Sequence, residues 1–212
     1  MHRRPLQLSL FAVVYGLDIE TDTASDGLDP RVARILAIAV SSVDGEVVFT
    51  GPERTLLAGA DRYLRRAPPG VLATWNGSRF DLPFLADRAA RCRVRLGLRL
   101  WLDAGRLSSQ PAPADQALAY LGRWHRHVHL DAYRVYRWLG GDDGPSCALK
   151  AVARSAGLAP VEEDGARVHE LSPTRLCRYV ASDARMARLL AERQWREAAP
   201  FLDLAPSGAQ AW

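Results

Sequence analysis

Three strand-like runs open the chain almost back to back, and their order limits the folds open to it. FAVVYGLDI (residues 11–19), RILAIAVSSV (34–43) and EVVFTG (46–51) are rich in apolar, β-branched and aromatic residues, and the Asp44-Gly45 pair between the second and third is a hairpin turn. An antiparallel meander is expected first. The period then changes. ERTLLAGADRYLRRA carries apolar side chains at helical spacing, PPG stops it, VLATWNG begins as a short strand, and DLPFLADRAARCRV is helical again. Strands alternating with helices call for α/β layers, and the meander makes the central β-sheet mixed, flanked by α-helices.

The second half is less regular. SSQPAPAD reads as a surface connection, and HRHVHLDAYRVYRWLG as a short extended piece running into a helix that GGDDGP ends. SCALKAVARSAGL reads as an amphipathic helix with Ser146 as N-cap and Gly157 near its end. From Pro173 to Ala199 one long helix is expected, with Leu176, Val180, Met186, Leu189 and Leu190 on its apolar face, and FLDLAPSGAQAW as a loose tail. The 212 residues fit one domain, with a core over about 11–198 and tails at 1–8 and 203–212.

Charge and cysteine content narrow the function classes. No apolar run reaches the roughly 20 residues that span a bilayer, and Asp18 and Glu20 interrupt the opening apolar run, so neither a membrane nor a secreted protein is expected. Cys92, Cys147 and Cys177 are odd in number and lack CxxC spacing, which points to reduced thiols in the cytoplasm rather than disulfides or zinc. A formal charge of +4 suits a polyanionic partner. Arginine makes up all but one of the 28 basic residues, a bias that codon usage alone can produce.

Against that background the acids of GLDIETDT stand out. Residues i and i+2 of a strand face one side, so Asp18 and Glu20 present two carboxylates together at the end of the first strand, where sites of open α/β sheets lie. Like charges repel and are costly to bury. Either both acids face water or a cation compensates them. Asp81 follows the strand VLAT within TWNGSRFDLPFL, where an ordinary helix cap would also place an Asp. Tyr179 and Asp183, four apart, share a helix face.

Together, GLDIET after the first strand, N-G-S-R-F-D after a later one and YVASD in the last long helix resemble the DEDD (DnaQ-like) 3′–5′ exonucleases of the ribonuclease H-like fold. Tyr179 stands four before Asp183, and Arg178 rather than His stands five before it, so the chain is similar to the DEDDy branch, which includes proofreading domains of family A and family B DNA polymerases. HVHLDAYRVYR and CALKAVARSAGL also resemble polymerase-B-type standalone exonucleases, and the likeness runs from about Val13 to Arg193.

The resemblance implies a metal-dependent 3′–5′ exonuclease that releases nucleoside 5′-monophosphates from single-stranded DNA. Asp18, Glu20, Asp81 and Asp183 match its metal-binding acids, Tyr179 the tyrosine that positions the attacking water, Asn76 the second-motif asparagine, and Phe80 an apolar position beside the second acid. Four carboxylates without a His or Cys cluster suit two divalent cations, Mg²⁺ or Mn²⁺. Asp18 is the expected bridging ligand, with Glu20 and Asp183 mainly on the nucleophile-side metal and Asp81 on the second, through water. A phenol with a pKa near 10 is a poor base, so Tyr179 is expected to orient the water by hydrogen bonding.

The same geometry would bring Thr21 and the loop through Gly27 and Leu28 to the terminal nucleotide, with Leu28 wedged under its base; a plain surface loop is the other reading. Asp131 is a supporting carboxylate or a helix cap, Trp75 a core residue or a stacking platform. His125, His127 and His129 read as structural or phosphate-facing, and Arg185 and Arg188 as a solvated face or phosphate contacts. Any proofreading or repair role would be in trans. Two alternatives remain: an exoribonuclease or short-oligonucleotide nuclease, whose selectivity would rest on contacts to the 2′-OH, and a nucleic-acid-binding module without catalysis.

Overall fold

The computed structural model describes residues 13–103, 119–140 and 147–203. The expected meander is present. β1 (Val14–Thr21), β2 (Ile35–Ser42) and β3 (Gly45–Thr50) pair antiparallel in turn, and Gly45 takes a φ of 128° in the turn that joins the last two. Helix α1 (Glu53–Arg66) leads into β4 (Val71–Thr74), and α2 (Asp81–Arg91) follows. Two strands that the sequence pattern did not announce, β5 (Leu98–Leu102) and β6 (Tyr120–Trp124), come next. The stretch read as one extended piece is β7 (His127–Asp131), which runs into α3 (Ala132–Gly140). Helices α4 (Leu149–Ser155), α5 (Pro173–Arg193) and α6 (Trp195–Ala198) complete the order.

The seven strands form one mixed sheet in the order β3-β2-β1-β4-β7-β6-β5. β1, β4 and β7 are parallel neighbours at its centre, and antiparallel pairs flank them on both sides. Their carboxyl ends therefore share one edge of the sheet, the position that favours a site. Strand alternation sorts the side chains. Tyr15, Leu17 and Ile19 of β1 join Ile38 and Val40 of β2 in the main core, with Leu56, Leu57 and Leu64 of α1 and Leu82 and Leu85 of α2. Each leucine or isoleucine removed from water there contributes roughly 1.5–3 kcal/mol. The other face is built from small residues: Ala37 and Ala39 of β2 pack against Val180 and Ala184 of α5.

Helix ends follow local chemistry. Ser172 caps α5, its hydroxyl accepting the backbone N–H of Arg175, with Pro173 in the first turn. The single long helix expected to run to Ala199 breaks at Gln194, where α5 ends before α6. Of its predicted apolar face, Val180, Met186 and Leu190 are buried and Leu176 and Leu189 partly so. Gly157 follows α4 with a φ of 76°, as a helix-ending glycine should. Ser146 and the SSQPAPAD stretch lie outside the described residues. The start of the stretch read as a loose tail is anchored: Leu202 bridges Leu130, and Asp203 is buried against His129. No helix among the described residues is long and apolar enough to cross a membrane.

Candidate active site

Gly16 sets the distance between β1 and α5. A side chain there would fall 1.8 Å from the carbonyl oxygen of Ala184, so only glycine lets the helix lie this close. The contact is two residues from Asp18 on the same strand face and one from Asp183 on the helix. As a result Asp18, Glu20 and Asp183 each offer a carboxylate oxygen, all within 4.8 Å of one another. Beyond Glu20 the β1–β2 register slips, Thr21 pairing with Ile35, an irregularity of the kind that re-aims side chains beside sites.

The third segment enters from β4. Asn76 takes a φ of 63°, which asparagine tolerates better than most residues, and a side chain at Gly77 would meet Thr74 Oγ1 at 2.2 Å. Asp131, fully buried at the end of β7, accepts the backbone N–H of Asn76 at 2.8 Å and that of Ser78 at 3.3 Å, together with the Ser78 hydroxyl. The turn so fixed delivers Asp81 as the first residue of α2. Asp81 is not a cap: Phe80 holds the capping position, and the Asp81 side chain is buried and receives a hydrogen bond from the backbone N–H of Ile19 on β1.

Crowding shows in the electrostatics. Burial raises the pKa of Asp18 well above the usual carboxylate range, and the charges of Glu20, Asp183 and Asp81 raise it further. Burial, with the charge of Asp183, lifts Glu20 to about 8. Burial takes Asp81 to about 7, with Asp131 adding to the rise. Asp183 rises to about 6 through burial, held there by the ammonium of Lys150. Tyr179, one turn before Asp183 and buried, has its phenol pushed far up by burial and by the charges of Glu20, Asp183 and Asp18. It stays protonated and so is able to donate a hydrogen bond.

Lys150, the only lysine in the chain, is the residue that sequence reasoning missed here. Its Nζ lies 3.2 Å from Asp183 Oδ2 and 3.7 Å from the centre of the Tyr179 ring, so one cation from α4 serves both. A lone lysine on an amphipathic helix carries no spacing signal. The other oxygen of Asp183 is buried without a hydrogen-bond partner. Oxygen donors alone, mutual repulsion and an orphaned carboxylate oxygen together fit a hard divalent cation.

The remaining candidates separate. Leu28, 76% exposed, and Phe80 line a common cavity of about 350 Å³ with Pro30, Phe84 and Tyr120. Thr21 donates its hydroxyl to the Gly27 carbonyl at 2.7 Å, closing the loop that carries Leu28. Asp22 is outside the cluster, pairing with Arg34. The histidines are structural. His125 bonds Asp61, His127 bonds the Leu64 carbonyl, and His129 lies between Thr74 and Asp203. Trp75 packs against Tyr133 and Tyr136 and donates to the Cys147 carbonyl, as a core residue does. Arg188 reaches Ser41 and Glu192, and Arg185 lies 3.8 Å from Glu46, so both pair with protein groups.

Comparison with known proteins supports the same reading. The family described as DNA polymerase family B, exonuclease domain, matches residues 33–137. That stretch holds Asn76, Phe80 and Asp81; the geometry above ties Asp18, Glu20, Tyr179 and Asp183 to it. A DNA polymerase of Pyrococcus glycovorans is 27% identical over 193 residues, covering 80% of this chain and 23% of the polymerase. The catalytic subunit of DNA polymerase epsilon from Schizosaccharomyces pombe is 32% identical over 146 residues, covering 65% of this chain and 6% of that protein. The chain thus spans less than a quarter of the length of either relative. The structure of the family B DNA polymerase from the archaeon Pyrobaculum calidifontis superposes with a TM-score of 0.68 over 87% of this chain and 24% of that one, at 24% identity, which establishes the ribonuclease H-like fold. In sequence and in fold, the chain is similar to the exonuclease domain of family B DNA polymerases.

Proposed function

We propose that the protein is a metal-dependent 3′–5′ exonuclease that removes nucleoside 5′-monophosphates from the 3′ end of single-stranded DNA. The observation that carries the reading is the convergence of Asp18, Glu20 and Asp183 within 4.8 Å, inside a site where burial keeps all of them from ionising freely. A binding module gains nothing from clustered carboxylates, which repel phosphate. Asp18, Glu20, Asp81 and Asp183 would hold two divalent cations, Mg²⁺ or Mn²⁺, and these would supply the Lewis acidity that activates water and offsets charge on the departing 3′ oxygen.

The chain's own residues then do the positioning. Asp18, adjoined by the charges of the other three acids, is the group best placed to be shared. Asp81, outside the close group of three, takes the more distant part. Tyr179, protonated across the working range, donates a hydrogen bond that orients the water. Lys150 holds the Asp183 carboxylate in place. Leu28 and Phe80 grip the terminal base, with Thr21 fixing the loop and the Asn76 carbonyl accepting the Phe80 backbone N–H. We place the reaction in the cytoplasm, where three cysteines that form no disulfide stay reduced.

Single strands of DNA and RNA, labelled at either end and incubated with Mg²⁺, Mn²⁺ or EDTA, test the reading. Loss of label from the 3′ end, dependent on metal, absent in Asp18→Ala and slowed about 10²-fold in Tyr179→Phe, is expected. Faster loss from DNA than RNA supports the substrate. No metal-dependent loss from either polymer refutes the enzyme, and a Tyr179→Phe rate equal to the parent's removes the role of the phenol.

A further inference from the structure

Clustered carboxylates repel the polymer they are proposed to cut, so affinity for the strand must come from cations nearby. Such cations lie one strand along the sheet edge. A cavity of about 590 Å³ opens between the Asn76–Arg79 turn and α3, lined by Arg79, Arg134 and Arg137 with Tyr133 and Phe201. Among the described residues the one acid lining it, Asp131, has its oxygens occupied by the Asn76 and Ser78 donors. Arg134 is held in place: its Nη1 lies 3.6 Å from the buried Asp203 Oδ1, and its guanidinium sits 5.5 Å from the centre of the Phe201 ring. A guanidinium has five N–H donors, so this single long ion pair leaves capacity for a second anion. Arg137, one turn further on, is exposed and among the described residues has no carboxylate partner, unlike Arg31, Arg34, Arg88, Arg91 and Arg175.

Position adds direction. Asn76 lines this cavity, and Arg79 lines both it and the slot shared by Leu28 and Phe80. A 3′ end seated in that slot leaves the polymer one way to continue, toward its 5′ side.

We infer that the cavity between the Asn76–Arg79 turn and α3 binds the phosphodiester backbone of the single strand, 5′ of the bond being cut, through Arg79, Arg134 and Arg137. The inference rests on the exonuclease reading for its direction along the strand but not for the binding itself.

Labelled poly-dT and poly-U are titrated with protein by fluorescence anisotropy in EDTA, over a series of salt concentrations. Each phosphate neutralised on a single strand contributes about 0.7 to the slope of log affinity against log salt. Arg137→Ala and Arg134→Gln should each lower that slope by about 0.7 and weaken binding several-fold, whereas Arg65→Ala on α1 should change neither. Arg137 is exposed, so its variant decides the matter even if Arg134→Gln fails to fold. Poly-dT and poly-U should lose the same slope, since phosphates are common to both. A parent-like slope in Arg137→Ala, an equal loss in Arg65→Ala, or a loss confined to one polymer would overturn the proposal. Weakened binding in a protein that cuts no 3′ end would leave the cavity standing and remove the nuclease. Cleavage with unaltered binding would remove the cavity alone.

Discussion

Four acids placed so that none ionises freely make the metal-free protein sensitive to pH in a direction that differs from the usual carboxylate case. Their folded-state values lie above the unfolded ones of about 3.9 for Asp and 4.3 for Glu, so at intermediate pH the folded chain holds protons that the unfolded chain has released. Their contribution is complete below about pH 4, where both states are protonated, and is lost as pH rises through about 6 for Asp183, about 7 for Asp81 and about 8 for Glu20. Thermal unfolding in EDTA should show this fall, Glu20→Gln should reduce it, and Mn²⁺ should restore stability most at the upper end of the window. A melting temperature that is flat in EDTA and unmoved by Mn²⁺ counts against a metal site. The convergence of Asp18, Glu20 and Asp183 was legible in the sequence, because strand alternation and motif order put these acids in recognisable places. Lys150 was not. Its place depends on α4 crossing α5, a tertiary fact with no local signature.

At the level of elements, β1 and α5 form the site only because of what they leave out. Gly16, Ala37, Ala39 and Ala184 keep that face of the sheet small, and α5 comes down onto it. A methyl at Gly16 would drive into backbone rather than into a flexible side chain. Gly16→Ala should therefore cost about 1–3 kcal/mol of stability or more. It should also lower cleavage further than stability explains, since Asp183 moves with the helix. Urea unfolding and the end-labelled assay on the same preparation check this; near-parental values in both would mean that the helix is not held by that contact. The meander, α1, β4, α2 and most of α5 were readable from period and turn chemistry. β5 and β6 were not, for a physical reason. Each is five residues long, residues 103–119 separate them in the sequence, and Gly122 in β6 weakens a strand signal by supplying no side chain. A side chain there would begin 2.4 Å from Leu82 Cδ1, the movable end of a core side chain.

Across the whole molecule, the candidate site depends on a tie made far from it in sequence. Asp203 Oδ2 accepts from the Gly122 backbone N–H on β6 and from His129 on β7, whose other ring nitrogen meets the Thr74 hydroxyl on β4. Its second oxygen faces Arg134 on α3, and its own N–H donates to the His129 carbonyl. One carboxylate thus joins three strands and a helix just behind Asp131, which shapes the Asn76 turn and so places Asp81. Nothing in the run FLDLAP announces this, because the Gly122 and His129 partners lie more than 70 residues away and the run is short and ends in proline. Asp203→Ala would strand a buried histidine, a buried amide and an arginine at once, which should cost about 3–5 kcal/mol. Asp203→Asn keeps an acceptor for the amide or the ring and should cost less. Urea unfolding of the two variants separates the cases. A loss below about 1 kcal/mol in Asp203→Ala, within the range of ordinary surface substitutions, would mean that β4 and β7 hold the Asn76 turn without the strap. A large loss that Asp203→Asn partly recovers would place the strap among the contacts that fix the distance between Asp81 and the acids of β1.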